Sequence, residues 1–461
     1  MISSHNIDTF FNPSTVAVIG ASNKKDSVGN VIFDNLIHGD YKGHTYPVTL
    51  SSEEVLGKKA YRSVLDIDGD IDLAVIAIPA PAVNIVVEEC VKKGIKSCII
   101  ITGGFSEIGE NEREEKMKEI ISSSDMRVIG PNCVGVYDTY TQLDTIFLPE
   151  EKMGRPKKGK IGLISQSGAF VAAMLDWTAS VGIGMSKVVS FGNKVDVNYS
   201  DLVQYFSKDE STSVIAIYME GLTNGKRFLR ASKEAVMEKP IVALKAGRSS
   251  AGAAAAASHT GSLAGVDQIY SGAFTQAGII RTYSTEELFD VSKVFVDHIS
   301  PKGNKVAIIT NGGGSGVMAT DALGDWGLEI APLQDITKKY LRRELPPHCS
   351  VKNPIDLTGD SDIRRYEVAI DAVSNDDAVD MILLILLLQV PTMGEEVVER
   401  IWKATRDVKK PLVVVSAGGE YTQEKIRQLE SKGFICYQTP ERGVRALGAL
   451  YGHYEYVRKR R

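Results

Sequence analysis

Short apolar runs alternate with amphipathic stretches along nearly the whole of this chain, and that alternation admits few folds. TVAVIGAS (15–22), HTYPVTL (44–50), DLAVIAIP (72–79), SCIIITGG (97–104) and MRVIGPN (126–132) have the apolar character of buried strands. Segments such as PAVNIVVEECVKKG (81–94), which lie between several of them, are patterned as helices. Buried strands joined by such helices form a parallel sheet with helices on its faces.

The pattern occurs three times. A Lys-rich link, EEKMGRPKKGK (150–160), separates the first unit from a second that carries IGLISQSGAF, SKVVSFGNKVDV, SVIAIYMEGL, KPIVALKAGR and IIRTYST. Another polar link, HISPKGNK (298–305), precedes KVAIITNGGG, LEIAPL, MILLILLL, PLVVVSAGG and GFICYQT. The expected domains are 1–145, 155–297 and 303–461, which suits 461 residues at ~150 per domain. The second and third units open alike. IGLISQSGAFVAAM and VAIITNGGGSGVMAT each read as strand, small-residue turn and helix, a degenerate internal repeat.

Composition narrows the function. The net charge is -5, with no long basic block, so nucleic acid is not an expected partner. The start lacks a basic and then apolar leader, and MILLILLL (381–388) is too short to span a bilayer. Cys90, Cys98, Cys133, Cys349 and Cys436 are scattered without a CxxC pair. A reducing cytoplasm is expected, and no bound metal.

The turns carry the chemistry. GASNKKDSVGN (20–30) follows the first strand and offers backbone N–H groups to phosphate at a helix start. It is not GxGxxG, since Ser22 stands at the second glycine position, and Val48-Thr49-Leu50 ends the second strand without a ribose-binding acid. A dinucleotide is therefore disfavoured, whereas Lys24 and Lys25 suit a more heavily phosphorylated ligand. Ser165, Ser167 and Gly168 form one strand-to-helix turn, and Gly312, Gly313, Gly314 and Ser315 form another. Two such helix starts, converging on one spot, can hold a phosphoryl group without a metal. Cys133 reads as a small buried residue of a Gly-Pro-Asn turn, and no Walker A pattern occurs.

His259 stands in GAAAAASHTGSLAG (252–265) among residues with almost no side chain. One reading is an alanine-rich helix ending at Gly261, its histidine favoured by the helix dipole. The other is an arm narrow enough to enter a crevice and present the imidazole to a reaction. Glu220 ends SVIAIYMEGL at the carboxyl edge of the sheet. There it can accept the Nδ1–H of His259 and leave Nε2 as nucleophile.

At these residues the sequence resembles, over nearly its whole length, the alpha subunit of ADP-forming acyl-CoA synthetases, within the succinyl-CoA synthetase superfamily. The motifs, in order, are VAVIGAS with SVGN, YPV, IPAPAV, ITGGFSE, GPNCVG, GLISQSGAF, SFGNKVDV, YMEG, KAGRS, SHTGSLAG, NGGGSGVMATDAL and NPIDL. The resemblance implies a Rossmann-like CoA-binding domain followed by two flavodoxin-like domains. It implies coenzyme contacts at Gly20, Ala21, Ser22, Lys24, Lys25, Ser27, Val28, Gly29, Pro79, Thr102, Gly103 and Asn132, with Gln166 added to the phosphate-binding set. It makes His259 a phosphohistidine on a swinging loop and Glu220 its orienting carboxylate. It places Mg with ADP or ATP on a separate ATP-grasp beta subunit, in a hetero-oligomer such as alpha2beta2. The substrates would be phosphate and the acyl-CoA of acetate or another small acid. One departure stands out: many relatives read YPVNPK where this chain reads YPVTLSS. The rival readings are a non-catalytic CoA-binding scaffold of the same architecture, which His259 with Glu220 opposes, and a dehydrogenase, which the missing GxGxxG opposes.

Overall fold

Every apolar run singled out above forms a strand, and each sheet has the same order. The computed structural model describes residues 5–254, 266–297 and 299–461. In the first sheet the strands run His44–Val48, Thr15–Ile19, Leu73–Ile76, Ser97–Ile100 and Arg127–Ile129 from edge to edge, all parallel. The second sheet repeats the order with Met185–Ser190, Lys158–Ser165, Val214–Met219, Ile241–Lys245 and Ile280–Thr282. The third does so with Glu329–Ile330, Lys305–Thr310, Met381–Ile385, Leu412–Val415 and Cys436–Tyr437. In each, the first strand is flanked by the second and the third. The crossovers leave it in opposite directions, so a crevice opens at its carboxyl end.

MILLILLL behaves as its composition demands. Met381–Ile385 is buried throughout because helices cover both faces of the sheet. Among the described residues no helix is long and apolar enough to cross a membrane.

The chain divides into two compact units, residues 1–288 and 289–461. The first two sheets share one unit because residues 135–144 do not stay with the sheet they follow. Gly135–Asp138 pairs antiparallel with Met185–Ser190, and Leu143–Asp144 extends the same sheet. The boundary read near residue 145 thus falls after a hairpin that already belongs to the second sheet.

A second weld lies at Arg127. Its guanidinium donates to both oxygens of Asp196, at 2.8 and 3.0 Å, while the Val128 N–H donates to Asp196 Oδ2 at 2.8 Å. Backbone bonds from Asn193 to Pro131, Val195 to Gly130 and Val197 to Val128 lay the segment 193–197 along the edge of the first sheet. Gly192 makes that approach possible: its φ is +55°, and a Cβ there would lie 2.2 Å from the Pro131 oxygen. At the amino terminus Phe11 is fully buried and stacks on Tyr205 of the helix Tyr199–Lys208, with ring centroids 5.1 Å apart.

The unit 289–461 has its own core, in which Ile309 and Leu384 of its sheet cluster with Tyr366 of the helix Ile363–Ser374. Tyr366 is fully buried and its hydroxyl donates to the Ile385 carbonyl at 2.7 Å.

Because Arg127 and Asp196 are both largely out of water, removing one leaves the other without its partner. Asp196→Ala should destabilise the unit by about 3 kcal/mol. Urea unfolding followed by Trp177, the one tryptophan before residue 289, measures this. A loss below about 1 kcal/mol would mean that the pair is as weak as an exposed one.

Candidate functional site

The crevices of the first two sheets open into one cleft of about 590 Å³ within residues 1–288. The first sheet contributes Val28, Thr102, Gly103 and Asn132, and the second contributes Gln166, Ser167, Gly168 and Glu220. These eight of the residues singled out in the sequence are brought together. Gly192 and Asn193 from SFGNKVDV, Cys133 of the Gly-Pro-Asn turn, Val134 and Phe147 line the same cleft. Asn193 had a signal in the sequence, a Gly-Asn turn after a buried strand, but its ligands are distant in the chain.

The turn of the first sheet is built for close approach. Gly29 is the second residue of the helix Val28–His38, and a Cβ there would lie 1.9 Å from the Gly20 oxygen. Ser27 caps that helix by position only. Its hydroxyl donates to the Lys24 carbonyl at 2.8 Å, so no side chain occupies the N–H groups at the helix start. Ser22 Oγ accepts from the Lys24 N–H at 3.0 Å, and Asn30 Nδ2 donates to the Ser22 carbonyl at 2.8 Å. Ala21 is buried beneath the turn, and Lys24 and Lys25 are exposed on its outer side. Pro79 is the N-cap of the helix Ala80–Lys93 and lies outside the cleft lining, as do Gly20 and the remaining turn residues.

Deeper in the cleft, Asn132 has φ +59° and its N–H donates to the Thr102 carbonyl at 2.9 Å. Thr102 Oγ1 donates to the Ile78 carbonyl at 2.7 Å, which ties the ends of neighbouring strands. Asn193 crosses from the second sheet and its Nδ2 donates to Glu107 Oε2 at 2.6 Å. Cys133 lies in the lining, but burial pushes its thiol up to about 12, which removes thiolate chemistry near neutral pH.

The helix start at Ser167 uses a hydroxyl hinge. Ser165 Oγ accepts the Ser167 N–H at 3.0 Å and donates to the Ser167 carbonyl at 2.9 Å. Ser167 then caps the helix Gly168–Ser180 by accepting from the Phe170 N–H at 3.3 Å. In the unit 289–461, Thr310 makes the same two bonds to Gly312, at 2.9 and 3.0 Å. The likeness of the two sequences is thus a likeness of local structure. The second copy has glycine at the N-cap, so the first turn of Gly313–Leu323 has no side-chain cap, and Gly313 and Gly314 are exposed.

Glu220 is buried at the end of its strand. The Tyr218 phenol is pushed up to about 12 by burial and by the Glu220 charge, to which it is hydrogen-bonded. Lys194 Nζ donates to the Gly221 carbonyl at 3.4 Å. Burial lowers the Lys194 ammonium, and Glu220 opposes that shift. Burial likewise lowers Lys245, with Asp267 and then Glu220 opposing. The carboxylate therefore sits in a cationic surround. His259 lies outside the described residues; the strand Ile241–Lys245 and the helical residues 250–254 lead toward it.

One polar atom in the lining is unsatisfied. Gln166 is buried and its Oε1 has no hydrogen-bond partner. Such an acceptor costs about 1–3 kcal/mol until something donates to it. Among the described residues no group of three or more His, Cys, Asp or Glu side chains is placed to hold a metal ion.

Known proteins share this architecture. Residues 14–139 match a CoA binding domain, 158–295 a succinyl-CoA ligase like flavodoxin domain, and 306–459 a ligase-CoA domain. The chain is 43% identical, over 96% of its length and 97% of the relative's, to the acetate–CoA ligase (ADP-forming) I subunit alpha of Pyrococcus furiosus. It is 44% identical over 95% of its length to an ADP-forming acetate–CoA ligase of Methanocaldococcus jannaschii, of which it covers 62%. A solved structure, the dinucleotide forming acetyl-coenzyme A synthetase 1 of Ca. Korarchaeum cryptofilum in complex with phosphate and ADP, superposes with a TM-score of 0.93. Its identity is 36%, covering 100% of this chain and 99% of that one.

The unpaired amide leads to a test independent of activity. Gln166→Leu removes a buried acceptor that nothing satisfies, so the urea midpoint of the free chain should stay level or rise, by up to ~1 kcal/mol in stability. A fall of more than that would show that the Gln166 carbonyl already has a partner in solution. Cys133 should also resist maleimide at pH 8 in the folded chain and react once unfolded, as mass spectrometry of the labelled peptide would record.

Proposed function

This chain belongs to the ADP-forming acetate–CoA ligase family, and on that premise we propose that it interconverts acyl-CoA, ADP and phosphate with a carboxylic acid, ATP and CoA. The acid is acetate or another small one. The observation that carries the reading is the shared cleft. A coenzyme-binding sheet, an N–H-rich helix start and a buried carboxylate all reach one space.

A phosphate oxygen attacks the thioester carbonyl, the C–S bond breaks, and CoA leaves as the thiolate. The product is an acyl phosphate. Nε2 of His259 then attacks phosphorus, the bond to the acyl oxygen breaks, and the carboxylate departs. Histidine suits this step because its neutral imidazole is nucleophilic near pH 7 and its phosphoryl adduct transfers readily. Glu220 accepts the Nδ1–H and steadies the positive ring. The rest is positioning and charge stabilisation, the task of the N–H group at Gly168 and, in the unit 289–461, of those at Gly313 and Gly314. The coenzyme's pyrophosphate is taken by the turn Gly20 to Gly29, with Lys24 and Lys25 on its outer side. The nucleotide is handled by an ATP-grasp beta subunit in an assembly such as alpha2beta2, where Mg would supply positive charge to the nucleotide phosphates. We place this assembly in the cytoplasm, which suits the five free cysteines.

Acyl-CoA plus phosphate should label His259, and phosphopeptide mapping at alkaline pH should find the label there. Full turnover by His259→Ala would end the mechanism. Glu220→Gln should slow labelling by ~10–100-fold, as for loss of one hydrogen bond to a charged group, while leaving CoA affinity nearly unchanged. Equal losses in both would reduce Glu220 to a fold residue. The chain alone should make no ATP, and an added ATP-grasp subunit should restore Mg-dependent synthesis. ATP formation by the rigorously purified single chain would reveal a nucleotide site within it. A chain that binds CoA but is never phosphorylated would be the scaffold instead.

A further inference from the structure

We propose that Arg62, with Thr49 and Ser51, forms the subsite for the 3′-phosphate of the CoA ribose, and so decides between CoA and its dephosphorylated form. The proposal rests on the coenzyme reading above and names a residue that the sequence patterns did not single out.

In a parallel nucleotide-binding sheet the end of the second strand lies beside the ribose. An acid there takes ribose hydroxyls, and an arginine nearby accommodates a ribose phosphate. Here the second strand is His44–Val48, and it lies directly beside the phosphate-binding turn, since the Gly20 N–H donates to the Val48 carbonyl at 2.9 Å. Val48-Thr49-Leu50-Ser51 carries neither an acid nor a base. The ribose end of the site thus lacks the charge that a phosphate needs, unless another segment supplies it.

Another segment does. Tyr61 continues the edge of the sheet: it bridges Val48 in parallel, its N–H donates to the Pro47 carbonyl at 3.0 Å, and its carbonyl accepts from the Thr49 N–H at 2.9 Å. The next residue, Arg62, is thereby held beside the strand end, and its Nη1 donates to the Leu50 carbonyl. That bond uses one of five guanidinium N–H groups and fixes the planar fork whose geometry suits phosphate oxygens. Thr49 Oγ1 and Ser51 Oγ are hydrogen-bonded to each other at 3.0 Å in the same loop, which leaves one hydroxyl hydrogen of the pair to donate. Leu50, 76% exposed, offers an apolar surface at the rim where an adenine or ribose can rest. The loop is tied to the pyrophosphate turn: Asn23 Nδ2 donates to the Glu54 carbonyl at 2.8 Å, and Asn23 Oδ1 accepts from the Leu56 N–H at 3.0 Å. Pyrophosphate and ribose-phosphate stations are therefore held at a set separation. Lys24 and Lys25 lie on the turn itself and serve the pyrophosphate.

The test is calorimetry of the full chain with CoA and with 3′-dephospho-CoA. The wild type should bind CoA ~10–100-fold more tightly, the worth of charge-assisted bonds to one phosphate. Arg62→Ala should bring the two affinities within about threefold by weakening CoA alone, and Arg62→Lys should recover part of the preference as a point charge. Lys24→Ala with Lys25→Ala should weaken both ligands and leave their ratio unchanged. Arg62 is exposed, so the variants should match the wild-type urea midpoint. An unchanged ratio in Arg62→Ala would overturn the assignment, as would an equal loss for both ligands. Failure of the wild type to bind either ligand would overturn the coenzyme reading itself.

Discussion

The grip of Asp196 on Arg127 and on the Val128 N–H is the contact on which the larger unit depends. It joins the segment that follows the strand Met185–Ser190 of the second sheet to an edge of the first, and the backbone bonds on either side of it continue the seam. A cleft between two separately folded sheets would widen and narrow with their motion. Here its two walls share hydrogen bonds, and Asn193, which reaches the Glu107 carboxylate across the seam, is itself part of the lining. Asp201 adds to the lock: it receives the Arg227 guanidinium at 2.5 Å and lies 3.5 Å from Arg127. A buried network of this kind need not add net stability over apolar packing, but it allows only one register.

The internal repeat is resolved at the level of single hydrogen bonds. Ser165 and Thr310 each end the first strand of their sheet, and each uses its hydroxyl both to accept the N–H and to donate to the carbonyl two residues on. That hinge turns the chain sharply into a helix and points the first N–H groups outward from the sheet edge. The copies differ in one respect that matters chemically. Ser167 spends its oxygen on the Phe170 N–H, whereas Gly312 has none to spend. In the second copy the corresponding N–H, that of Ser315, turns instead to the Gly312 carbonyl at 3.0 Å.

Around Glu220 the same low-polarity surroundings act in both directions. Burial disfavours the ammonium groups of Lys194 and Lys245, and the carboxylate restores part of what burial removes. The Tyr218 hydroxyl, hydrogen-bonded to Glu220, is held protonated by burial first and then by that charge.

The alternation of buried strands and helices, the small-residue turns after strands 15–19, 158–165 and 305–310, and the residues of those turns were all legible in the sequence. They are local: each depends on residues within one strand–turn–helix stretch, and hydrophobic period and turn chemistry report such stretches directly. The motif order that marks the family was legible for the same reason. The joining of two domains into one unit was not, because the 135–144 hairpin pairs across a boundary that composition draws after it. Nor could the sequence show that Asn193 would line the cleft or that the Gln166 carbonyl would lack a donor. Nothing in it could bring Arg62 to the end of a strand finished fourteen residues earlier. Each of those depends on which segments lie side by side after folding. Side-chain pattern reports whether a residue is buried, and only the packed chain decides against what.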